Sequence, residues 1–344
     1  VGNDNDVQAL RRMSGLVTPM ALRVAVTLGL PDRLRADHAD ADPTADPAAA
    51  DLAASVARLA SELDVNPMAL ELLLGHLATL GIVERTGTGY RTTEFGALLC
   101  GDAGNGLNNF LHQETAAGRA DLAFADLIHS VRTGEPAYPV RYGRDFWTDL
   151  AEQPHLRAAF DRQMTWRIRE EVPAFVDAID WSRFPAIVDV GGGPGDLLTA
   201  VLRAHPGVRG HLVDLEVAPA RANFSEFGDR AEVTAGSFFD PLPAGGDAYL
   251  LFNVLHNWDD EQSRRILARV VEAMPRSGRL LVVESIRGVG ASTEMDLVML
   301  VHFGGWERSV EEFQNLASPT GLALESVIEV TEGRSVLVFR RHPI

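Results

Sequence analysis

The sequence predicts a doubly wound α/β domain with a mostly parallel sheet, preceded by a smaller, mostly helical domain. Three observations carry this. At 344 residues the chain has roughly twice the length of an ordinary domain. From Pro185 onward, short apolar runs alternate with helical periods. The first of those runs ends in Asp189-Val190-Gly191-Gly192-Gly193-Pro194-Gly195-Asp196, the glycine turn that open α/β sheets place at their ligand-binding edge.

In chain order, residues 10–30 carry apolar positions at helical spacing, interrupted by Pro19, with a stop at 29–32. The stretch 37–47, rich in Asp, Ala and Pro, reads as a loop, and 48–63 as a helix. Asn66-Pro67 places an N-cap and a first-turn proline ahead of a helix over 68–80, ended by Gly81. Residues 82–85 and 90–92 flank the turn 86–89 as a β-hairpin, and helices followed by such a ribbon outline a winged helix. The pattern from 107 to 178 stays helical around a loop at 133–144. Strands are expected at 187–190, 211–215, 232–234, 248–253 and 279–284, with helices at 197–204, 261–274, 295–303 and 310–320. An antiparallel pair, 324–330 with 335–340, closes the sheet. The expected domains are 1–100, a helical linker with part of the substrate pocket at 101–180, and a catalytic domain at 181–344.

Composition excludes whole function classes. The formal charge of −17 disfavours nonspecific binding to nucleic acid or to anionic membranes. No apolar run approaches the roughly 20 residues that span a bilayer, and residues 1–10 lack a signal-peptide pattern, so a cytoplasmic protein is expected. Cys100 is the only cysteine, which rules out an intrachain disulfide and any multi-cysteine metal site. All 31 basic side chains are arginines, so Schiff-base chemistry and a P-loop are absent.

The glycine segment narrows the ligand. A dinucleotide fingerprint needs glycine at 196, where the chain has Asp196. Asp189, Gly191, Gly193 and Gly195 instead give D-x-G-x-G-x-G, which resembles the pattern of S-adenosylmethionine-dependent methyltransferases. Asp214, at the end of the next strand, is placed to accept from both ribose hydroxyls. The plainer alternative is a tight turn with no ligand.

A second segment, Asn253-Val254-Leu255-His256-Asn257-Trp258-Asp259-Asp260-Glu261, ends another expected strand and brings His256 to the same edge. A phenol titrates near pH 10 and its phenolate is the better nucleophile, so an imidazole in hydrogen-bond reach is the expected base. Asp259, Asp260 and Glu261 fit a helix-capping role.

With Gly236-Ser237-Phe238-Phe239, Glu284 and Gly304-Gly305-Trp306-Glu307-Arg308, these motifs resemble, over nearly the whole chain, the O-methyltransferases typified by plant caffeic acid methyltransferases and their bacterial polyketide-tailoring relatives. The resemblance implies a homodimer formed through the N-terminal domain, which is not a DNA reader; residues 1–100 hold 8 Arg against 13 Asp plus Glu. It implies S-adenosylmethionine as cofactor and S-adenosylhomocysteine as product, no metal, and His256 as base supported by Glu284 and Glu307. Cofactor contacts are implied for Asp189, Gly191, Gly193, Gly195, Asp214, Leu215, Gly236, Ser237, Phe238, Asn253 and Trp258, and for Arg157 through the cofactor carboxylate. Acceptor contacts are implied for Asn257, Met164, Met295, Met299, His302 and Phe303, although a Met and aromatic stripe also reads as core. Phe146, Trp147 and Trp166 are further acceptor candidates. Ser237 stands where relatives often carry an acid.

Thr18-Pro19-Met20, the segment 130–134 and the segment 156–160 resemble the anthracycline-tailoring branch, which implies a fused-ring polyketide phenol as acceptor. Two other readings remain beside methylation: decarboxylation or hydroxylation on the same fold, and a winged-helix regulator. Retention of His256 speaks against the first, and the regulator leaves the glycine loop, Asp214 and the His/Glu/Glu set unexplained.

Overall fold

A computed structural model of the chain describes residues 4–35, 52–87, 89–289, 292–331 and 333–342. The loop expected at 37–47, residues 48–51 of the following helix and Thr88 of the hairpin turn lie outside the described residues. The chain divides into two compact units, residues 1–122 and 123–344.

In the first unit the apolar stretch 10–30 belongs to two helices, Asp4–Ser14 and Val17–Thr27, followed by a short turn of helix at Leu30–Arg33. The break falls at Gly15-Leu16, ahead of Pro19. Proline is tolerated there because it sits in the first turn, where backbone N–H groups have no intrahelical partner. Asn66 caps the helix Pro67–Thr79, its side chain accepting from the Ala69 N–H at 3.0 Å. Strands β1 (Val83–Arg85) and β2 (Tyr90–Thr92) pair antiparallel, with Glu84 opposite Arg91. Leu30, Leu70, Leu74, Leu77, Val83 and Tyr90 form the buried centre of this unit.

The second unit is built on seven strands: β3 (Ala186–Val190), β4 (Arg209–Asp214), β5 (Ala231–Ala235), β6 (Ala248–Phe252), β7 (Arg279–Ser285), β8 (Leu322–Thr331) and β9 (Arg334–Arg341). Their order is β5-β4-β3-β6-β7-β9-β8, parallel from β5 to β7 and antiparallel at the β7–β9 and β8–β9 pairs. The expected closing hairpin is therefore present, each strand one or two residues longer than the pattern at each end. Side chains of a strand alternate faces, and here both faces are buried. Ile187, Leu250, Leu281 and Val283 enter one core, whereas Val188, Tyr249, Leu251, Leu280 and Val282 enter the other.

This order matters for the site. From β3 the chain moves outward through β4 and β5, then returns to place β6 on the other side of β3. The carboxyl ends of β3 and β6 therefore meet where the winding reverses, the position at which open α/β sheets bind ligands. Among the described residues no helix is long and apolar enough to cross a membrane.

Leu250 is wholly buried in the central strand β6. Leu250→Ala is expected to lower stability by about 2–5 kcal/mol in urea unfolding, against less than about 0.5 kcal/mol for Val327→Thr on the outermost strand, where the side chain is 42% exposed.

Candidate active site

The glycine loop follows β3 directly. Gly191, Gly193 and Gly195 have φ of 75°, 55° and 82°, the left-handed region that side chains disfavour. The Gly193 N–H donates to Asp214 Oδ2 at 2.9 Å, tying the loop to the end of β4, and the Gly236 N–H donates to the Asp214 carbonyl at 3.0 Å. Phe238 lies against Gly191 and meets Phe239 and Trp258 edge to face. The Ser237 hydroxyl accepts from the Phe239 N–H at 3.2 Å, so it serves its own turn. Leu215 stands outward, 62% exposed.

Two acceptors near this loop lack a donor among the described residues: Asp189 Oδ1 and Asn253 Oδ1 are both buried without a partner there. Burial, aided by the Asp214 charge, pushes the Asp189 carboxyl up to about 7. Asn253 takes a left-handed φ of 54°, strain that structures hold chiefly at functional positions. A ligand with a glycol to share Asp214, an ammonium group and a flat base beside Phe238 suits this donor-poor cradle. S-adenosylmethionine carries all three.

Arg157 is bonded on two sides within the chain. Its Nη2 donates to Asp214 Oδ1 at 3.1 Å and its Nε to Asp161 Oδ1 at 2.9 Å, so the guanidinium buttresses the Asp214 carboxylate at the end of β4.

The chain leaves β6 through a single 3₁₀ turn, Leu255–Asn257, that carries His256. Glu284, at the end of β7, holds this turn from below: its Oε1 accepts from the N–H groups of Val254 (3.1 Å), Leu255 (2.9 Å) and His256 (3.4 Å). Arg308 holds it from the other side, donating to the carbonyls of Leu255 at 2.9 Å and Trp258 at 2.8 Å and to Asp260. Gly305 approaches so closely that a Cβ would collide with the His256 carbonyl. Asp259 caps the next helix, Asp260–Ala273, accepting from the Gln262 N–H at 2.8 Å, as its position predicted.

His256 is buried, with Nδ1 3.0 Å from Glu307 Oε1 and 3.4 Å from Glu284 Oε2. Burial acts to lower its pKa, but the Glu284 charge and the hydrogen bond and charge of Glu307 outweigh it, so the imidazole titrates above its ordinary value. Burial raises the Glu284 carboxyl, with Glu307 adding to the rise while His256 and Arg334 oppose it. With Nδ1–H donated to Glu307, the neutral ring presents Nε2 as its free lone pair. The three ligating atoms are close enough to share a cation, as are those of Asp32, Cys100 and Asp102. In the first group the Nδ1–Glu307 hydrogen bond occupies the nitrogen a metal would need.

Aromatic rings stand nearby. Trp147 stacks on Phe303 at 5.4 Å and lies parallel to Trp258 at 6.3 Å; Phe146 and Phe160 close the group edge to face. His302 meets Phe303 at 5.6 Å on the helix Thr293–Phe303, where Met299 is buried and Met295 half-buried. Met164 is half-buried on the helix Pro154–Ile168. Asn257 Nδ2 donates to the Asn253 carbonyl at 3.0 Å, so the amide braces the turn. Sequence reasoning gave no role to Arg308 or Arg334. Arg334 donates to Glu171 at 3.1 Å and to Ser285 Oγ at 3.2 Å, beside Glu284.

Comparison with known proteins agrees with this geometry. The family model described as an O-methyltransferase domain matches residues 124–323, and that of an O-methyltransferase dimerisation domain matches residues 10–102. The chain is 42% identical to 2,7-dihydroxy-5-methyl-1-naphthoate 7-O-methyltransferase of Streptomyces carzinostaticus, covering 94% of this chain and 97% of that one. It is 41% identical to aclacinomycin 10-hydroxylase RdmB of Streptomyces purpurascens, covering 98% and 89%. A solved O-methyltransferase of neocarzinostatin biosynthesis, bound to S-adenosylmethionine and 2-hydroxy-5-methyl naphthoic acid, superposes with a TM-score of 0.84 at 40% identity, covering 97% and 98%.

Gly305→Ala should push the His256 turn off its position. The expected outcome is a loss of methyl transfer on the order of 10²-fold with near-native affinity for S-adenosylhomocysteine, measured by steady-state kinetics and calorimetric titration.

Proposed function

The chain belongs to the S-adenosylmethionine-dependent O-methyltransferase family, and from that premise we propose that it methylates a phenolic hydroxyl of a fused-ring aromatic polyketide, with His256 as general base. The observation that carries this reading is the buried His256–Glu307–Glu284 set beside an aromatic wall. A pair of carboxylates on one imidazole nitrogen is machinery for accepting a proton at the other, and hydroxylation or decarboxylation on the same fold has no use for it.

In this reading the glycine loop, Asp189, Asp214, Gly236 and Asn253 hold the cofactor, and Leu215, Phe238 and Trp258 border its base. When bound, S-adenosylmethionine supplies an electrophilic methyl group to the acceptor oxygen. The stacked rings of Trp147, Phe303 and Trp258 seat a planar acceptor and exclude water. His256 Nε2 takes the phenolic proton, and Glu307 and Glu284 stabilise the imidazolium that results. His302, Met295, Met299 and Met164 border the acceptor. Much of the rate comes from holding oxygen and methyl carbon in line.

We also propose a cytoplasmic homodimer. The match of residues 10–102 to a dimerisation domain supports pairing, as do Leu10, Met13, Leu16 and Val17, which are 65–83% exposed, a row of apolar side chains uncommon on a monomer's surface.

The reading is tested with methyl-labelled cofactor and a panel of hydroxylated naphthalenes, anthraquinones and anthracyclines; a single labelled methyl on a phenolic oxygen is expected. His256→Ala should cost about 10²–10⁴-fold in transfer and leave S-adenosylhomocysteine binding within a few-fold; equal loss of both would make the histidine structural. The raised imidazole pKa sets the pH profile: kcat/KM should rise with pH through an ionisation above about 6.5. Glu307→Gln removes a negative neighbour, so that midpoint should move to lower pH while kcat falls. Transfer should survive prolonged EDTA treatment; activity lost and restored by a divalent cation would reassign the cluster to metal binding.

A further inference from the structure

The edge of the sheet opposite the active site gathers arginines. β7 begins at Arg279 and reaches Glu284 only at its far end, so the two lie about 17 Å apart along the strand. Antiparallel pairing of β7 with β9 sets Arg279 directly opposite Arg340, and pairing of β8 with β9 sets Leu322 opposite Arg341. With Arg276 and Ser277 of the turn before β7 and His342 just past β9, these arginines line an open cavity of about 430 Å³. The His342 N–H donates to the Gly321 carbonyl at 2.8 Å and fixes that strand end.

Like charges directly opposite one another weaken a sheet, and the chain compensates only one of these. Arg279 bonds Glu325, which stands at the bulge of β8 between Leu324 and Ser326, and donates to the carbonyls of Ser277 at 2.8 Å and Gly278 at 3.2 Å. Arg340 reaches the Arg341 carbonyl at 3.5 Å and Arg341 that of Met274 at 3.1 Å. Among the described residues Arg276, Arg340 and Arg341 have no carboxylate partner, and Glu325 pairs with Arg279. The bond from Arg279 and the charges of Arg279, Arg340 and Arg183 hold the Glu325 carboxyl below its usual range, against a small opposing effect of burial. In a chain of formal charge −17, four guanidiniums around a concavity with one carboxylate are a local reversal of sign. Guanidinium forks match phosphate oxygens in pairs, and a multiply charged anion engages several of them at once.

We propose that this cavity is a second, non-catalytic site that binds a small anion of the diphosphate class through Arg276, Arg340 and Arg341, with Ser277 and His342 as further donors. The anion neutralises the Arg279–Arg340 pairing, so its binding also stabilises the β7–β9–β8 edge of the sheet. The site stands apart from the phenol-methylation reading and does not depend on it.

The probe is inorganic pyrophosphate, titrated calorimetrically at fixed ionic strength into the full-length protein saturated with S-adenosylhomocysteine, so that the cofactor site is filled. One pyrophosphate per chain should bind, at least about 10-fold more tightly than acetate, and should raise the melting temperature. Arg276→Gln and Arg340→Gln should each weaken it about 10-fold. Arg58→Gln, at an exposed arginine of the first unit, should leave it unchanged. S-adenosylhomocysteine affinity unchanged in all three variants reports an intact fold. ADP bound as tightly as pyrophosphate shows that the diphosphate alone is read, whereas ADP bound at least about 10-fold more tightly assigns the diphosphate to a nucleotide. No saturable binding, no preference over acetate, or equal weakening by Arg58→Gln overturns the site. A short DNA duplex bound at physiological salt through Arg276 and Arg340, with no binding of pyrophosphate, overturns the small-anion site in favour of a polyanion surface.

Discussion

Glu284 and Glu307 are 0% and 1% exposed, and each carboxylate buried as an ion costs several kcal/mol of hydration. One imidazolium at 3.0 and 3.4 Å returns on the order of 5 kcal/mol per contact at an effective dielectric near 20, a return reduced by the imidazolium's own burial. The remainder comes from the surroundings. Three backbone N–H groups of the His256 turn converge on Glu284 Oε1, and the Arg334 charge acts on Glu284 from the end of the β8–β9 hairpin. A buried imidazole–dicarboxylate set of this kind exists only where strand ends, a tight turn and a distant arginine have already been brought together by the fold.

That requirement explains features with no obvious function in isolation. The turn after β6 must present its N–H groups to one carboxylate, so its own carbonyls need other donors. Arg308 supplies them and is itself wholly buried, its guanidinium 4.6 Å from the Trp306 ring. For Arg308 and Glu307 to reach the turn from consecutive positions, the preceding chain must pass against the His256 carbonyl, which only glycine at 305 permits. Gly305, Glu307 and Arg308 are thus one device with three contacts: clearance, imidazole support and backbone support. The Ser309–Glu312 capping box starts the next helix at once and fixes the direction in which the segment leaves.

How much of this was legible in the sequence follows from the range of each interaction. The sheet could be read because strand periodicity and the glycine turn are local, and the hairpin and caps likewise depend on residues a few positions apart. His256, Glu284 and Glu307 were named because each sits in a recognisable segment, not because any pattern shows they touch. Arg334 carried no signal: its partner Glu171 lies 163 residues away, and a charge next to a hairpin turn reads as solvated. The resemblance implies Arg157 at the cofactor carboxylate; its bond to Asp214, 57 residues away, carried no signal, because which anion in the chain a guanidinium chooses is decided by tertiary neighbours. The helix break ahead of Pro19 teaches the same lesson at short range. A proline marks a boundary, and whether the boundary precedes or follows it depends on which N–H groups would be orphaned anyway.

The shared protons of the cluster determine what the base can do. His256 and Glu284 are both raised, so the set holds protons more tightly than its members would apart, and they leave in coupled steps that belong to the group. When the imidazole is neutral, two buried carboxylates face each other with less compensation. Accepting a proton at Nε2 then restores an imidazolium between anions, the best-compensated arrangement available. In the proposed reaction the cluster gains a proton as an acidic hydroxyl arrives, and the buried carboxylate charges, which outweigh the imidazole's own burial, make that gain favourable.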